Sequence, residues 1–402
     1  MPMALSRRLL VCSLTAASMS LGLSAASIAQ ETLKIGGIGS LSGGGTAWGL
    51  AIKRGTELAI DEANEKGGLR IGGKTYKLEH VMLDDQYTAT GGKTAAERLI
   101  FQDKVQFIVG PIGSPAVIST VNVMYEAMEK GSQKVLLLAN GFSIPILKNK
   151  WNSPLNYRVT NTNREFVRPA VAWTLKRYPD VKKVGSLSPN DAVGQFVTPV
   201  IKAGYENNKV EFLDEVYERG TKEFTPFVLR LMAKGMQLLD LASTAPGEAG
   251  LVVKQARQAG FKGPIIQIGG PGVDEIIAVA GDLAEGFVSY DMYHFDDPKN
   301  KWFVDIYRKK FGDGIINSQT PFFFNAGRNL FEAMRRADSV DPEKVRDALD
   351  KMDGYDAGVL GAIKWGGLKE YGVKRQQLMP FLMVEVKAKK IVVLDALQPV
   401  DD

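Results

Sequence analysis

The sequence has few of the side chains that most catalytic and metal sites require. Its 402 residues include one cysteine, Cys12, and two histidines, His80 and His294. Triads and zinc sites built on histidine need such side chains in a recognisable spacing. Neither histidine lies in one, so we predict no catalytic triad and no metal site. The formal charge of +5 is not concentrated in a basic block, which argues against a nucleic-acid partner.

The first 29 residues have the three parts of a secretory signal peptide. Arg7 and Arg8 supply positive charge, residues 9–23 form a short apolar run, and residues 27–29 form a small-x-small cleavage site. We therefore predict export to the periplasm with cleavage after Ala29, by the general or the twin-arginine route. The run is short and interrupted by Ser and Thr, which argues against an anchor helix. Cleavage would also remove the only cysteine.

Strand-like and helix-like segments alternate in two blocks along the rest of the chain. Such alternation predicts parallel sheets covered by helices on both faces, here in two Rossmann-like α/β lobes. Three further helices are predicted at 302–311, 321–337 and 342–351, followed by a hairpin of 381–386 and 391–394. The first lobe is predicted to comprise residues 30–156 and 291–357, and the second lobe residues 157–290 and 358–402. The chain is predicted to cross between them near Tyr157, Tyr290 and Gly361.

Two glycine-containing motifs resemble nucleotide-binding loops, but each lacks a required residue. After Gly37 and Gly39 the third glycine of a dinucleotide fingerprint is out of place. The P-loop-like Gly92 is preceded by Tyr87 at the position where a phosphate cradle needs glycine. We interpret the first motif as a turn that passes close to a strand or ligand, and we predict no cofactor.

Two strand-end loops of the first block are the strongest candidates for a ligand site. Gly113 and Ser114 begin a helix, whose free N–H groups suit a carboxylate. Asn140, Gly141 and Ser143 follow the next strand. Ligands of open α/β sheets bind outside the carboxyl ends of the strands, so both loops could contact one ligand group. The alternative is that Ser114 only caps its own helix.

The second block offers weaker candidates at its strand ends. Asp191 and Ala192 follow one strand, and Asp274 lies at a helix start, where an acid is more often a dipole partner than a ligand contact. Trp48 in the first helix could belong to a core, a surface or a pocket. Of these residues, Asp191 would lie on the lip of a cleft opposite the loops of the first block.

These stretches, taken in order, resemble the leucine/isoleucine/valine-binding protein family. Its members are periplasmic receptors of ABC importers with the type I periplasmic binding protein fold, two lobes joined by three crossings. The resemblance spans residues 33–394, and its most specific stretches are 34–64, 83–86, 109–119, 255–260 and 284–287.

The resemblance implies a receptor without catalysis that binds a small solute in the cleft between its lobes. The solute would be an amino acid or a related aromatic or aliphatic carboxylate or amide. The receptor, expected to be a monomer, would deliver it to an inner-membrane ABC permease. By resemblance, Ser114 grips the ligand carboxylate, Gly141 and Ser143 add contacts, and Trp48 places a ring beside the ligand.

The departures from the family pattern concern the other end of the ligand. Ala192 stands where amino-acid receptors of the family have an aromatic ring. Pro271 lies near the position of the carboxylate that pairs with the ligand ammonium in those receptors. Asp274, one turn later, could take the place of that carboxylate. A buried ammonium without an anion is costly, so we expect an acid or neutral solute at least as readily as leucine. A sensing domain that controls a partner protein, or a secreted α/β hydrolase, are the alternatives, although no G-x-S-x-G elbow supports the second.

Overall fold

The two blocks of alternating segments fold around two separate sheets. A computed structural model describes residues 31–148, 155–242 and 244–401. The predicted signal peptide, 1–29, lies outside these residues. Among the residues described, no helix is both long and apolar enough to span a bilayer.

The strands and helices follow the predicted alternation. The strands are β1 (Glu31–Gly39), β2 (Leu69–Ile71), β3 (Lys74–Asp84), β4 (Phe107–Ile112), β5 (Leu136–Asn140), β6 (Asn156–Arg158), β7 (Lys183–Pro189), β8 (Glu211–Tyr217), β9 (Leu238–Asp240), β10 (Ile265–Gln267), β11 (Val288–Asp291), β12 (Trp365–Gly366), β13 (Gln376–Gln377), β14 (Phe381–Lys387) and β15 (Lys390–Leu397). The helices are α1 (Thr46–Glu65), α2 (Ala89–Glu97), α3 (Ser114–Glu129), α4 (Asn163–Arg177), α5 (Ala192–Glu206), α6 (Thr225–Ala233), α7 (Pro246–Gln258), α8 (Val273–Ala280), α9 (Lys301–Phe311), α10 (Thr320–Ala337), α11 (Pro342–Asp350) and α12 (Leu368–Tyr371).

Each sheet has a parallel centre; the first sheet has an antiparallel pair at both edges, whereas the second has antiparallel strands only at the β14–β15 edge and ends in the parallel strand β8 at the other. The strand order is β12-β13-β6-β5-β4-β1-β3-β2 in the first sheet and β15-β14-β11-β10-β9-β7-β8 in the second. The central strands β4 and β5 are buried along their whole length, as expected for parallel strands covered by helices on both faces. The predicted C-terminal hairpin is present, with Lys387 opposite Lys390.

The chain passes between the sheets three times: after β6, after β11 and between β13 and β14. The first two crossings lie close to the predicted positions. The third was wrongly placed near Gly361, because β12 and β13 pair in the first sheet rather than in the second. These strands are two residues long, too short to show a periodicity in the sequence. The other predicted lobe limits stay predictions.

Candidate ligand-binding cleft

A small cavity lies between the lobes, at the carboxyl ends of β4, β5 and β10. It is partly open to solvent, and its empty space, including the open part, is about 340 Å³. The residues that line it are Trp48, Tyr87, Ile112, Gly113, Ser114, Asn140, Gly141, Phe142, Val193, Gly270, Pro271 and Gln319. Five of the nine predicted site residues are among them, namely Trp48, Gly113, Ser114, Asn140 and Gly141. The position agrees with the rule for ligands of open α/β sheets.

Ser114 has a hydroxyl group positioned to donate a hydrogen bond into this cavity. The side chain is fully buried, and its Oγ accepts from the backbone N–H groups of Phe142 and Ser143, both at 3.1 Å. Both acceptor positions of the hydroxyl are therefore occupied, while its proton has no acceptor among the residues described. Gly113, not Ser114, is the N-cap of α3, and no side chain caps the helix. The alternative that Ser114 only caps its own helix is therefore wrong.

Gly113 allows an aromatic ring to approach this serine. Its φ of 97° is in the left-handed region, and a Cβ at this position would lie 2.5 Å from Cε2 of Tyr87. A side chain here would therefore be strained in its backbone and would also displace the tyrosine. Glycine is thus required for the ring of Tyr87 to close one side of the cavity.

The turn that carries Tyr87 is held by two consecutive aspartates. Gln86 and Tyr87 both have positive φ, 53° and 60°, which costs free energy in residues other than glycine. Asp84 accepts from the N–H of Gln86 at 2.8 Å, and Asp85 accepts from the N–H of Tyr87 at 2.7 Å. The 83–86 stretch thus places an aromatic wall of the cavity, which its sequence alone did not reveal.

Trp48 and Ser143 both join the first lobe to the second. The indole Nε1 of Trp48 donates to the carbonyl of Pro271 at 2.7 Å, in a buried position. The hydroxyl of Ser143 donates to the carbonyl of Ala192 at 3.3 Å. The rings of Trp48 and Tyr87 lie 5.6 Å apart. Ser143 and Ala192 therefore contribute to contact between the lobes at the edge of the cavity.

None of the described residues that line the cavity is acidic. Asp191 caps α5, accepting from the N–H groups of Val193 and Gly194, and it also accepts from Nε of Arg219 at 2.9 Å. Asp274 lines a separate depression together with Asp291. Nothing in this arrangement supports the expectation that Asp274 pairs with a ligand ammonium, because it belongs to the other depression, and Asp191, the weaker candidate, does not line the cavity and is already bonded to Arg219.

A pair of amide side chains forms the remaining polar part of the cavity. Nδ2 of Asn140 donates to Oε1 of Gln319 at 3.2 Å, and Nε2 of Gln319 lies 3.3 Å from the sulfur of Met292. Oδ1 of Asn140 is buried without a partner. Gln319 could not be recognised as a site residue from the sequence, because it precedes α10 rather than following a strand of the series.

Two acids on the second lobe lie where the lobes meet. Oε1 of Glu275 accepts from Nδ2 of Asn317 at 2.9 Å, whereas its Oε2 has no partner. Burial raises the pKa of Glu275 to about 7, and burial likewise raises the pKa of Asp291 to about 7. Both carboxyl groups therefore keep their protons to a higher pH than exposed carboxyl groups do.

Comparison with known proteins identifies the class. The pattern of the family described as "Periplasmic binding protein" matches residues 32–390. The chain belongs to this family, and its predicted resemblance to leucine/isoleucine/valine-binding proteins is confirmed. The chain is 27% identical over 354 residues to the Leucine-, isoleucine-, valine-, threonine-, and alanine-binding protein of Pseudomonas aeruginosa, covering 87% of this chain and 91% of that protein. It is 29% identical to the Leu/Ile/Val-binding protein homolog 2 of Brucella abortus, covering 87% and 89%.

Solved structures show the same fold. The leucine binding protein LivK of Thermotoga maritima superposes with a TM-score of 0.77 at 21% identity, covering 91% of this chain and 99% of that one. A solute binding protein of R. palustris in complex with benzoate superposes with a TM-score of 0.76 at 21% identity, covering 92% of this chain and 98% of that one. The predicted two-lobed type I periplasmic binding protein fold is therefore confirmed. These relatives are solute-binding proteins rather than enzymes, and so is this chain.

Proposed function

We propose that this protein is the periplasmic receptor of an ABC importer and that it captures a small carboxylate without an ammonium group. The observation that carries the proposal is the asymmetry of the cavity. At one end the proton of the Ser114 hydroxyl has no acceptor among the residues described. Elsewhere none of the described lining residues is acidic. In this proposal residues 1–29 direct export and the monomeric receptor delivers its ligand to an inner-membrane permease.

The charge of the ligand follows from this asymmetry. A carboxylate beside Ser114 would accept from the hydroxyl and lie near the N-terminus of α3, where the helix dipole favours an anion. The ammonium of an amino acid would instead be buried without a carboxylate partner, which costs several kcal/mol unless it is compensated. An acid without the ammonium should therefore bind at least as well as leucine.

The walls of the cavity favour an apolar, flat body for the ligand. Trp48, Tyr87 and Phe142 present aromatic surface, and Pro271 adds apolar surface from the second lobe. Related structures contain benzoate, 3,4-dihydroxy benzoic acid, 4-hydroxybenzoate or isoleucine. Aromatic monocarboxylates combine the required anion with the apolar body, so they are the substrate class that we propose first.

A melting-temperature screen tests the proposal at this level. The purified protein is mixed with leucine, isoleucine, benzoate, 4-hydroxybenzoate, the amides of these acids and short dicarboxylates. A ligand at 100 times its Kd should raise the free energy of unfolding by about 2.7 kcal/mol, because it binds only the folded state. We expect the aromatic acids to raise the melting temperature more than the amino acids do. A larger shift with leucine than with any aromatic acid would contradict the proposed ligand class.

The double variant Ser114→Ala, Ser143→Ala tests the carboxylate end. It removes the donor to the ligand and the Ser143 bond to the carbonyl of Ala192. We expect affinity for the tightest-binding acid to fall at least tenfold, about 1.4 kcal/mol, with the fold retained by circular dichroism. Ser119→Ala is the matched control, because that hydroxyl lies on α3 and donates to the carbonyl of Pro115. Unchanged affinity in the double variant would remove both serines from the site.

A further inference from the structure

Arg158 is a fully buried cation at the end of β6, behind the loop that follows β5. Its Nη1 donates to the carbonyl groups of Gly141, Phe142 and Ser143 at 3.3, 3.4 and 3.2 Å. Its Nε and Nη2 are buried without a hydrogen-bond partner. The guanidinium also lies over the ring of Tyr371, 4.1 Å from the centroid.

No carboxylate among the described residues forms an ion pair or hydrogen bond with this guanidinium. A buried arginine is nearly always paired, because desolvation of an isolated charge costs several kcal/mol. Carbonyl dipoles and an aromatic face compensate only part of this cost. The charge of Arg158 is therefore available to an anion that arrives from outside the chain.

The loop of residues 141–143 connects this charge to the ligand cavity. The peptide group between Gly141 and Phe142 accepts from Arg158 through its carbonyl and donates to Oγ of Ser114 through its N–H. The next peptide group, between Phe142 and Ser143, does the same. Two peptide dipoles thus run in parallel from the guanidinium to the serine hydroxyl, and hydrogen bonds in such chains polarise one another.

We propose that Arg158 is a positioning residue that acts through these two peptide groups to make Ser114 a donor to a bound carboxylate. The two N–H groups occupy the acceptor positions of Oγ, which leaves the hydroxyl proton for the ligand. The positive charge behind the loop stabilises the anion without contacting it. This inference rests on the proposed function, because it assigns the charge of Arg158 to a ligand carboxylate.

The variants Arg158→Lys and Arg158→Gln test this role. Benzoate, 4-hydroxybenzoate and leucine are titrated by calorimetry, together with benzamide, 4-hydroxybenzamide and leucinamide, and thermal melting checks the fold. For the tightest-binding acid we expect Arg158→Gln to lose more than about tenfold in affinity and Arg158→Lys clearly less, because lysine keeps the charge. Where an amide binds measurably, we expect its affinity to change less than about threefold.

A merely structural role would give a different pattern. If arginine only shaped the loop, lysine would be as poor a substitute as glutamine, and acids and amides would weaken together. Equal losses in both variants, or equal losses for acid and amide, overturn the proposal. Arg177→Gln is the matched control, because this partly exposed arginine pairs with Glu385 in the second lobe.

A measurement without ligand separates this inference from the proposed function. The amide proton resonances of Phe142 and Ser143 report the polarisation of the two peptide groups in the free protein. We expect both to move upfield in Arg158→Gln and to move less in Arg158→Lys. If no acid binds the wild-type protein, the proposed function fails, and unchanged amide resonances in Arg158→Gln overturn the polarisation by themselves.

Discussion

Replacement of Trp48 by alanine is expected to weaken ligand binding more than a hundredfold. Trp48 is 4% exposed, lines the cavity from α1 and donates to the carbonyl of Pro271 in the opposite lobe. The substitution removes apolar surface beside the ligand and leaves that carbonyl unpaired when the lobes close. Truncation of a tryptophan that anchors a binding site costs about 3 kcal/mol of binding free energy, and each 1.4 kcal/mol is a factor of ten in Kd.

Two further variants show which part of the side chain matters. Trp48→Phe keeps a ring but removes the N–H, so we expect a loss of about 1–3 kcal/mol from the unpaired Pro271 carbonyl. Trp302→Ala is the matched control, because that indole lies on α9, is 39% exposed and is outside the cavity lining. Calorimetric titration gives the Kd of each variant. Equal affinity of Trp48→Ala and Trp302→Ala would exclude the indole from the site.

The protein is expected to be less stable at pH 8 than at pH 5.5. Burial raises the pKa of Asp85 to about 7 and that of Asp240 to about 6. It also raises the pKa values of Glu275 and Asp291 to about 7. The folded protein therefore retains protons that the unfolded chain, with carboxyl pKa values near 4, has already released. The resulting stability is complete below pH 4 and is lost as the pH rises through 7. For Asp85, the change from pH 5.5 to 8 is about 2 kcal/mol, at 1.36 kcal/mol for each pH unit.

Neighbouring aspartates provide a matched pair of variants for this effect. Asp85 is fully buried with Oδ2 unpartnered, so Asp85→Asn should raise the melting temperature at pH 8 and flatten its dependence on pH. Asp84 is exposed; burial opposes its ionisation, but N–H groups of Gln86 and Leu41 and the hydroxyl of Ser42 lower its pKa. Asp84→Asn should therefore destabilise at pH 8. Calorimetric melting of the wild-type protein and both variants between pH 5.5 and 8 tests these expectations. A melting temperature of Asp85→Asn below that of the wild-type protein at pH 8 would contradict the raised pKa of Asp85.

The arrangement of the two lobes could be predicted because it depends on long, regular patterns. Parallel strands such as β4 and β5 are continuous apolar runs, and the helices between them have amphipathic periodicity. The third crossing could not be placed, since it depends on two-residue strands at Trp365 and Gln376 whose pairing is decided by tertiary contact. Strand-end loops near Ser114 and Gly141 were predictable because topology fixes where such loops meet.

The remaining part of the site depends on contacts between segments distant in sequence. Gln319 reaches Asn140 across 179 positions, and Trp48 meets Pro271 across 223. Tyr87 enters the cavity through a left-handed turn that local propensity disfavours and that two aspartates hold in place. The expectation for Asp274 rested on register alone, and the first turn of α8 places this residue in a different depression.

The most direct test of the central claim is a crystal structure of the protein grown with the acid that raises its melting temperature most. We expect one ligand molecule between the lobes, with a carboxylate oxygen within hydrogen-bond distance of Oγ of Ser114. The apolar body should lie against Trp48 and Tyr87. An acid bound outside the cleft, or one whose carboxylate is directed away from Ser114, would contradict the account.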